Sequence, residues 1–332
     1  MLLLNLYEYK GRIFYYDEMF KSDVNALLAK TLETDIIYLA KIMDLDLTDA
    51  RLAFCAKKDF SPNNKQEQLL YNFKKIIGLV QNHHEHFELL PNEIKDLVTM
   101  LTKDLPNVTW RKVETNDNIF NKKYKDMHNE LEQLIKLFED NVRKKRYEYI
   151  TIVTNFYVDY LNMELFDGMN EEIALILLYT LIFGHFPIFK YVSFFKYLEK
   201  YLKDFNHAKE QANYNWASQF SQTDHLNEII YYIIKDSIKE VDDFSNEYKF
   251  EMKLNKSDNI ENTILKFAKQ FSKADIRKAH PTVSDSTIDR TLKRLKDEEK
   301  IMPIGTGRSA KWQLIIDNQK YIKFNLFEDD EK

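Results

Sequence analysis

From Ile173 to Phe189 the chain runs 17 residues without an Asp, Glu, Lys or Arg. Gly184-His185-Phe186-Pro187 interrupts the run, which falls short of the roughly 20 apolar residues that a membrane span needs. The part up to Gly184 is apolar on every face, the pattern of a helix buried all round. Such a helix cannot stand alone, so the rest of the chain has to supply a shell for it. Just before it comes Phe166-Asp167-Gly168-Met169-Asn170-Glu171-Glu172. Asp-Gly marks a turn, Asn170 is the expected N-cap, and the two Glu suit the positive end of the helix dipole. A polar turn is therefore expected at the N-terminus of a core helix, a frequent place to hold a phosphate.

The other elements follow from apolar spacing. Six Gly and six Pro in 332 residues predict a helical protein with few tight turns. Residues 1–20 mix aromatics and charges and predict two short strands or an irregular start. Ser22 or Asp23 is expected to cap a helix bearing Val24, Leu27, Leu28, Leu32 and Leu39 on one stripe. Further helices are expected over Lys65 to Val80, over Ile94 to Leu101 (with Leu105-Pro106 as its end), from Met127 to Phe138, and over Tyr147 to Leu161. Arg143-Lys144-Lys145-Arg146 reads as a solvated, dipole-compensating helix end. His83-His84-Glu85-His86 has metal-ligand composition but no spaced partner on a second element, and reads as a helix end or loop. The single Cys55 rules out an intramolecular disulfide and a Cys-rich zinc site, and agrees with a cytoplasmic setting. Met1-Leu2-Leu3-Leu4 is too short for a signal-peptide core.

The turn and its helix resemble the Fic family of nucleotidyl-transferring proteins, whose motif reads His-Pro-Phe-x-Asp/Glu-Gly-Asn-Gly-Arg-x-x-Arg before an apolar helix. Asp167, Gly168 and the helix match. Met163 stands at the His, Met169 at the Asn, Asn170 at the second Gly, Glu171 at the first Arg and Ala174 at the second; a one-residue insertion would put Asn162 at the His. In the family the His acts as base, the acid holds Mg²⁺, the Gly-Asn-Gly backbone cradles phosphates and the Arg neutralises their charge. An inhibitory Ser-x-x-x-Glu helix of many members finds its best counterpart at Thr34 to Leu39, with Tyr38 at the Glu. Trp110-Arg111 stands where members carry an aromatic and Arg before a target-docking hairpin. Phe186-Pro187-Ile188-Phe189-Lys190-Tyr191 and Asp204-Phe205-Asn206-His207-Ala208, followed by Trp216, match the family's structural spacing further on. The resemblance implies the fold, and it also implies that the catalytic positions have degenerated.

The C-terminal segment has a different pattern. Ile264, Phe267 and Ala268 line one helix, and Phe271 to Arg277 begin a second. Ser284 caps a third, with Ile288, Leu292 and Leu295 inward. Ile301 to Ile304 and Lys311 to Ile315 are two short strands around Gly305-Thr306-Gly307-Arg308. This resembles a winged helix-turn-helix, whose Val-Ser-x-x-Thr-Val-x-Arg-x-Leu pattern reads here Val283 to Leu292. Ser286, Thr287, Arg290, Thr291 and Arg294 are then expected outward toward base edges, with Arg308 and Lys311 toward phosphates or the minor groove. Charge partitions accordingly: residues 258–315 carry net +4 and the remainder net −9.

The expected fold is mainly α, a Fic-like helical bundle followed by a small α/β winged-helix domain. Its parts are an N-terminal helical region (1–120), a Fic-like core (121–244), a connector (245–257), the winged helix (258–316) and an acidic tail (317–332). The function read from the sequence is that of a catalytically lapsed Fic-fold protein regulating through DNA. AMP transfer from ATP with a non-standard motif and a non-catalytic docking role are the alternatives. No cofactor or metal is expected; ATP and Mg²⁺, with Asp167 as ligand, belong to the enzyme alternative. DNA is the expected partner, a protein partner and a homodimer stay open, and no membrane is expected.

Overall fold

The computed structural model describes residues 2–21, 23–115, 123–218, 221–252, 256–267, 270–281, 283–305 and 311–315. The chain divides into two compact units, Met1–Asp243 and Phe244–Lys332.

In the first unit the core is built around α8, Asn170–His185, in which every residue from Ile173 to Phe183 is buried. Its shell comes from α7 (Tyr149–Met163), α4 (Lys65–His83), α5 (Pro91–Leu101) and two 3-10 turns, His84–His86 and Pro187–Lys190. Behind these, α2 (Val24–Ile42) packs along α9 (Phe194–Lys200), α3 (Asp49–Lys57) and α4. Polar caps fix several starts. Asn64 accepts from Glu67 N at α4, Asp126 from His128 N and Asn129 N at α6 (Met127–Lys144), and Ser193 from Lys196 N at α9. Each satisfies a donor that the first helical turn leaves open. Between α5 and α6, β1 (Glu114–Thr115) pairs antiparallel with β2 (Lys123–Tyr124).

Three expectations are corrected here. Residues 1–20 are not strands: α1 spans Leu2–Met19. Tyr16 and Phe20, one turn apart, are buried, while Tyr7, Phe14 and Tyr15 are exposed. Aromatic residues on the outer face blurred the helical period. Asp23 is the residue before α2 but makes no side-chain cap bond; Ser22 lies outside the described residues. The segment expected as a connector is helical to Met252, since α11 runs Asp224–Met252. Phe244 and Tyr248, four residues apart, pack ring to ring at 6.0 Å, the i,i+4 pairing that a helix provides. α10 (Leu202–Tyr214) completes the unit.

The second unit, after the end of α11, runs α12 (Lys256–Lys266), β3 (Gln270–Ser272), α13 (Lys273–Ala279), α14 (Asp285–Asp297), β4 (Ile301–Ile304) and β5 (Lys311–Leu314). The strands form one antiparallel sheet in the order β3-β5-β4, with Phe271 opposite Trp312 and Ile301 opposite Leu314. Its core is Ile260, Ile264, Phe271, Ile276, Ile288, Leu292, Leu295 and Ile301, with Phe267, Val283, Trp312 and Leu314 against it. A reciprocal capping box between Ser272 and Asp275 starts α13, and Ser284 accepts from Thr287 N to start α14. Ala268 lies outside the described residues.

Candidate functional site

The turn before α8 is held by pairing with a distant segment. Arg111 N donates to Leu165 O at 2.9 Å and Asp167 N to Thr109 O at 3.0 Å. Trp110 stacks on Phe166 with ring centroids 4.4 Å apart. The Asp167 carboxylate joins this strap: Oδ1 accepts from Thr109 N at 2.8 Å and Oδ2 from the Thr109 hydroxyl at 2.9 Å. These bonds hold its carboxyl below the usual carboxylate range. Asp167 ties two chain segments together, and each oxygen already has a partner.

Asn170 is not the N-cap that the sequence predicts. Met169 occupies that position in the left-handed region, φ 57°, without a side-chain bond. The Asn170 amide instead reaches back four residues, accepting from Phe166 N at 3.1 Å and donating to Phe166 O at 2.8 Å. It closes the turn like a pair of backbone groups. Gly168 has no left-handed φ, and an added Cβ would meet Val108 Cγ2 at an ordinary 3.6 Å. The turn does not demand glycine there.

A concavity of about 380 Å³ lies beside the start of α8, lined by Glu164, Glu171, Glu172 and Lys209 among others. Glu164 is bound to Arg111 from outside this lining, and Lys209 Nζ stands 3.5 Å from Glu171. Three carboxylates and one ammonium make poor surroundings for a polyphosphate, which calls for donors and positive charge. The residues present therefore do not fit an Mg²⁺–nucleotide held as the family resemblance implies. Met163, which the sequence resemblance sets at the base, is a thioether and takes no proton. Asn162 spends its amide nitrogen on Val158 O at 2.7 Å and Asn213 Oδ1 at 2.8 Å. Among the described residues no three His, Cys, Asp or Glu converge as metal ligands. His84 instead packs edge-on against Phe183 at 5.0 Å, and burial pushes its pKa down.

In the second unit, Ser286 and Arg290 are exposed on α14, Thr287 is half-buried and Lys311 is exposed at the start of β5. Thr291 is a correction. It is 2% exposed, and its hydroxyl donates to Thr287 O at 2.9 Å, because position i+3 from Ile288 shares the buried stripe. Arg294 is a second correction to the expected outward set. Half-buried, it is held by Glu261 at 2.5 Å and Glu298 at 3.2 Å, tying α14 to α12. Arg308 lies outside the described residues. Lys293 is exposed and was missed. Ser286, Arg290 and Lys293 recur at i, i+4 and i+7, so helical spacing alone could have found it.

No protein-family model matches the chain, and no curated protein sequence matches it. Solved structures do. The chain is similar to the crystal structure of a Fic family protein from Desulfovibrio desulfuricans G20, with TM-score 0.54 and 12% identity, covering 96% of this chain and 97% of that one. It is also similar to a Fic domain containing signaling protein from Bacteroides thetaiotaomicron VPI-5482, with TM-score 0.50 and 10% identity, covering 72% of this chain and 97% of that one. The chain thus has a mainly helical Fic-like fold, with a small C-terminal three-stranded antiparallel sheet among helices. No helix among the described residues is long and apolar enough to cross a membrane.

Proposed function

We propose that this is a catalytically lapsed Fic-fold protein that acts on DNA through its C-terminal unit, read as a winged helix. The observation that carries the reading is the exposed stripe of Ser286, Arg290 and Lys293 on the well-capped α14, with Lys311 of β5 also exposed. The order α12-β3-α13-α14-β4-β5 and the antiparallel β3-β5-β4 sheet support that reading. Arg290 and Lys293 have no carboxylate partner among the described residues, whereas Arg277, Lys273 and Arg294 each have one. Unpaired cations along the exposed face of a recognition helix suit phosphates and base edges.

Loss of chemistry is supported by Met163 at the base position, by Asp167 engaged with Thr109, and by the carboxylates beside α8. Missing donors of this kind cost about 10² to 10³ in rate each. Incubation of the full chain with labelled ATP and Mg²⁺ tests this part: no protein labelling is expected. Labelling that disappears in Asp167→Ala restores the enzyme reading. Gel shifts with genomic DNA fragments test the other part, and no retained fragment would favour a protein-docking role.

A further inference from the structure

Two cavities lie along the seam of α6 and α7, about 310 Å³ and about 520 Å³, and share Leu134, Leu137 and Asp159 in their linings. Together they fall within the usual size of a small-molecule site. On the α6 side Leu134, Leu137 and Phe138 form an apolar patch, flanked by Glu130, Gln133 and Asn141, and Leu137 is 56% exposed. The α7 side is polar. Asn155, Asp159 and Asn162 sit at i, i+4 and i+7, which places them on one helical face. Asn155 spends its amide nitrogen on Thr151 O and Thr223 Oγ1, at 2.7 and 3.1 Å. Asn162 spends its own on Val158 O and Asn213. What both have left is carbonyl oxygen. Asp159 Oδ1 accepts from Trp216 Nε1 at 2.9 Å, and Oδ2 has no partner among the described residues.

Charge decides what fits. The charged residues lining the two cavities are Arg111, Lys125, Glu130 and Asp159. Arg111 is paired with Glu164, and Lys125 with Glu130 at 2.9 Å. Asp159 alone among them lacks a counter-ion, and it is partly desolvated, which raises its pKa. A row of acceptors with one unbalanced negative charge faces the apolar patch of Leu134, Leu137 and Phe138.

We propose that this groove binds a small organic amine, its ammonium on Asp159 and its apolar or aromatic body against Leu134, Leu137 and Phe138. An ammonium brings three donors and no acceptor, matching the oxygens left on α7. The site is independent of the DNA reading and lies wholly within the first unit.

Trp216 supplies the readout. In the uniformly ¹⁵N-labelled full chain its indole N–H resonance is identified by its loss in Trp216→Phe. Titration with phenethylammonium chloride is expected to shift that resonance to saturation, whereas phenethyl alcohol, the same body without the charge, gives no saturating shift. Asp159→Asn keeps an acceptor for Trp216 and is expected to weaken binding about tenfold or more, since a charge-assisted hydrogen bond is lost. Leu137→Lys, at an exposed rim position, places a tethered ammonium beside the groove and is expected to weaken binding without unfolding the chain. The absence of a saturating shift overturns the proposal. So does an equal response to the alcohol, or unchanged affinity in both variants.

Discussion

Among the described residues of the first unit Asp35 is the most deeply buried ionisable acid, and it shows how single residues carry the fold. It accepts from Ser193 Oγ at 2.5 Å and from Gln81 Nε2 at 2.9 Å, and Gln81 also reaches Tyr179 OH at 3.1 Å. Burial pushes its carboxyl up to about 7. The sign follows from proton counting. Between the ordinary carboxylate value and about 7 the folded chain keeps this proton and the unfolded chain releases it, so stability falls as pH rises across that window. The full shift corresponds to on the order of 4 kcal/mol. Asp35→Asn is expected to flatten this decline, as measured by urea unfolding at about pH 5 and about pH 8; an unchanged slope counts against the assignment. At the turn, Gly168→Ala is expected to fold normally, within about 0.5 kcal/mol of the parent, because φ there is ordinary and the new methyl meets only Val108. A loss of several degrees in Tm would show that the backbone needs glycine after all.

At the scale of elements, the apolar run from Ile173 did announce α8, because a helix without a polar face has one way to be satisfied. Leu177→Ala is expected to cost about 2–5 kcal/mol, against about 0.5 kcal/mol or less for Leu137→Ala at an exposed site, by chemical unfolding. The start of α8 was less legible. Asn170 carries the signature of an N-cap, but a left-handed Met169 turns its side chain back to Phe166. The Thr109–Asp167 strap joins residues 58 apart, and the Trp216–Asp159 bond residues 57 apart; local pattern encodes neither. In α14 the buried stripe was legible from Ile288, Leu292 and Leu295, but its width was not, so Thr291 was assigned outward. Arg294→Ala is accordingly expected to lower the melting temperature while leaving DNA affinity nearly unchanged, since its partners are Glu261 and Glu298. A large loss of affinity at equal stability would return Arg294 to the binding surface.

For the whole molecule, net charge of −5 conceals its division, +4 over residues 258–315 and −9 elsewhere. The fold was readable from structural positions shared with the Fic family, and solved structures bear it out at 10–12% identity. The positions that the resemblance assigns to catalysis are the ones where this sequence departs from the family motif. On the proposed function, the working surface is the cationic stripe of α14 and not the turn beside α8. The most direct test is DNA affinity of the full chain against salt concentration, for the parent and for Arg290→Ala/Lys293→Ala. Binding is expected to weaken linearly in log[salt], with the slope reduced by roughly 2 in the double variant. No binding at low salt, or a slope unaffected by removing both cations, would contradict it.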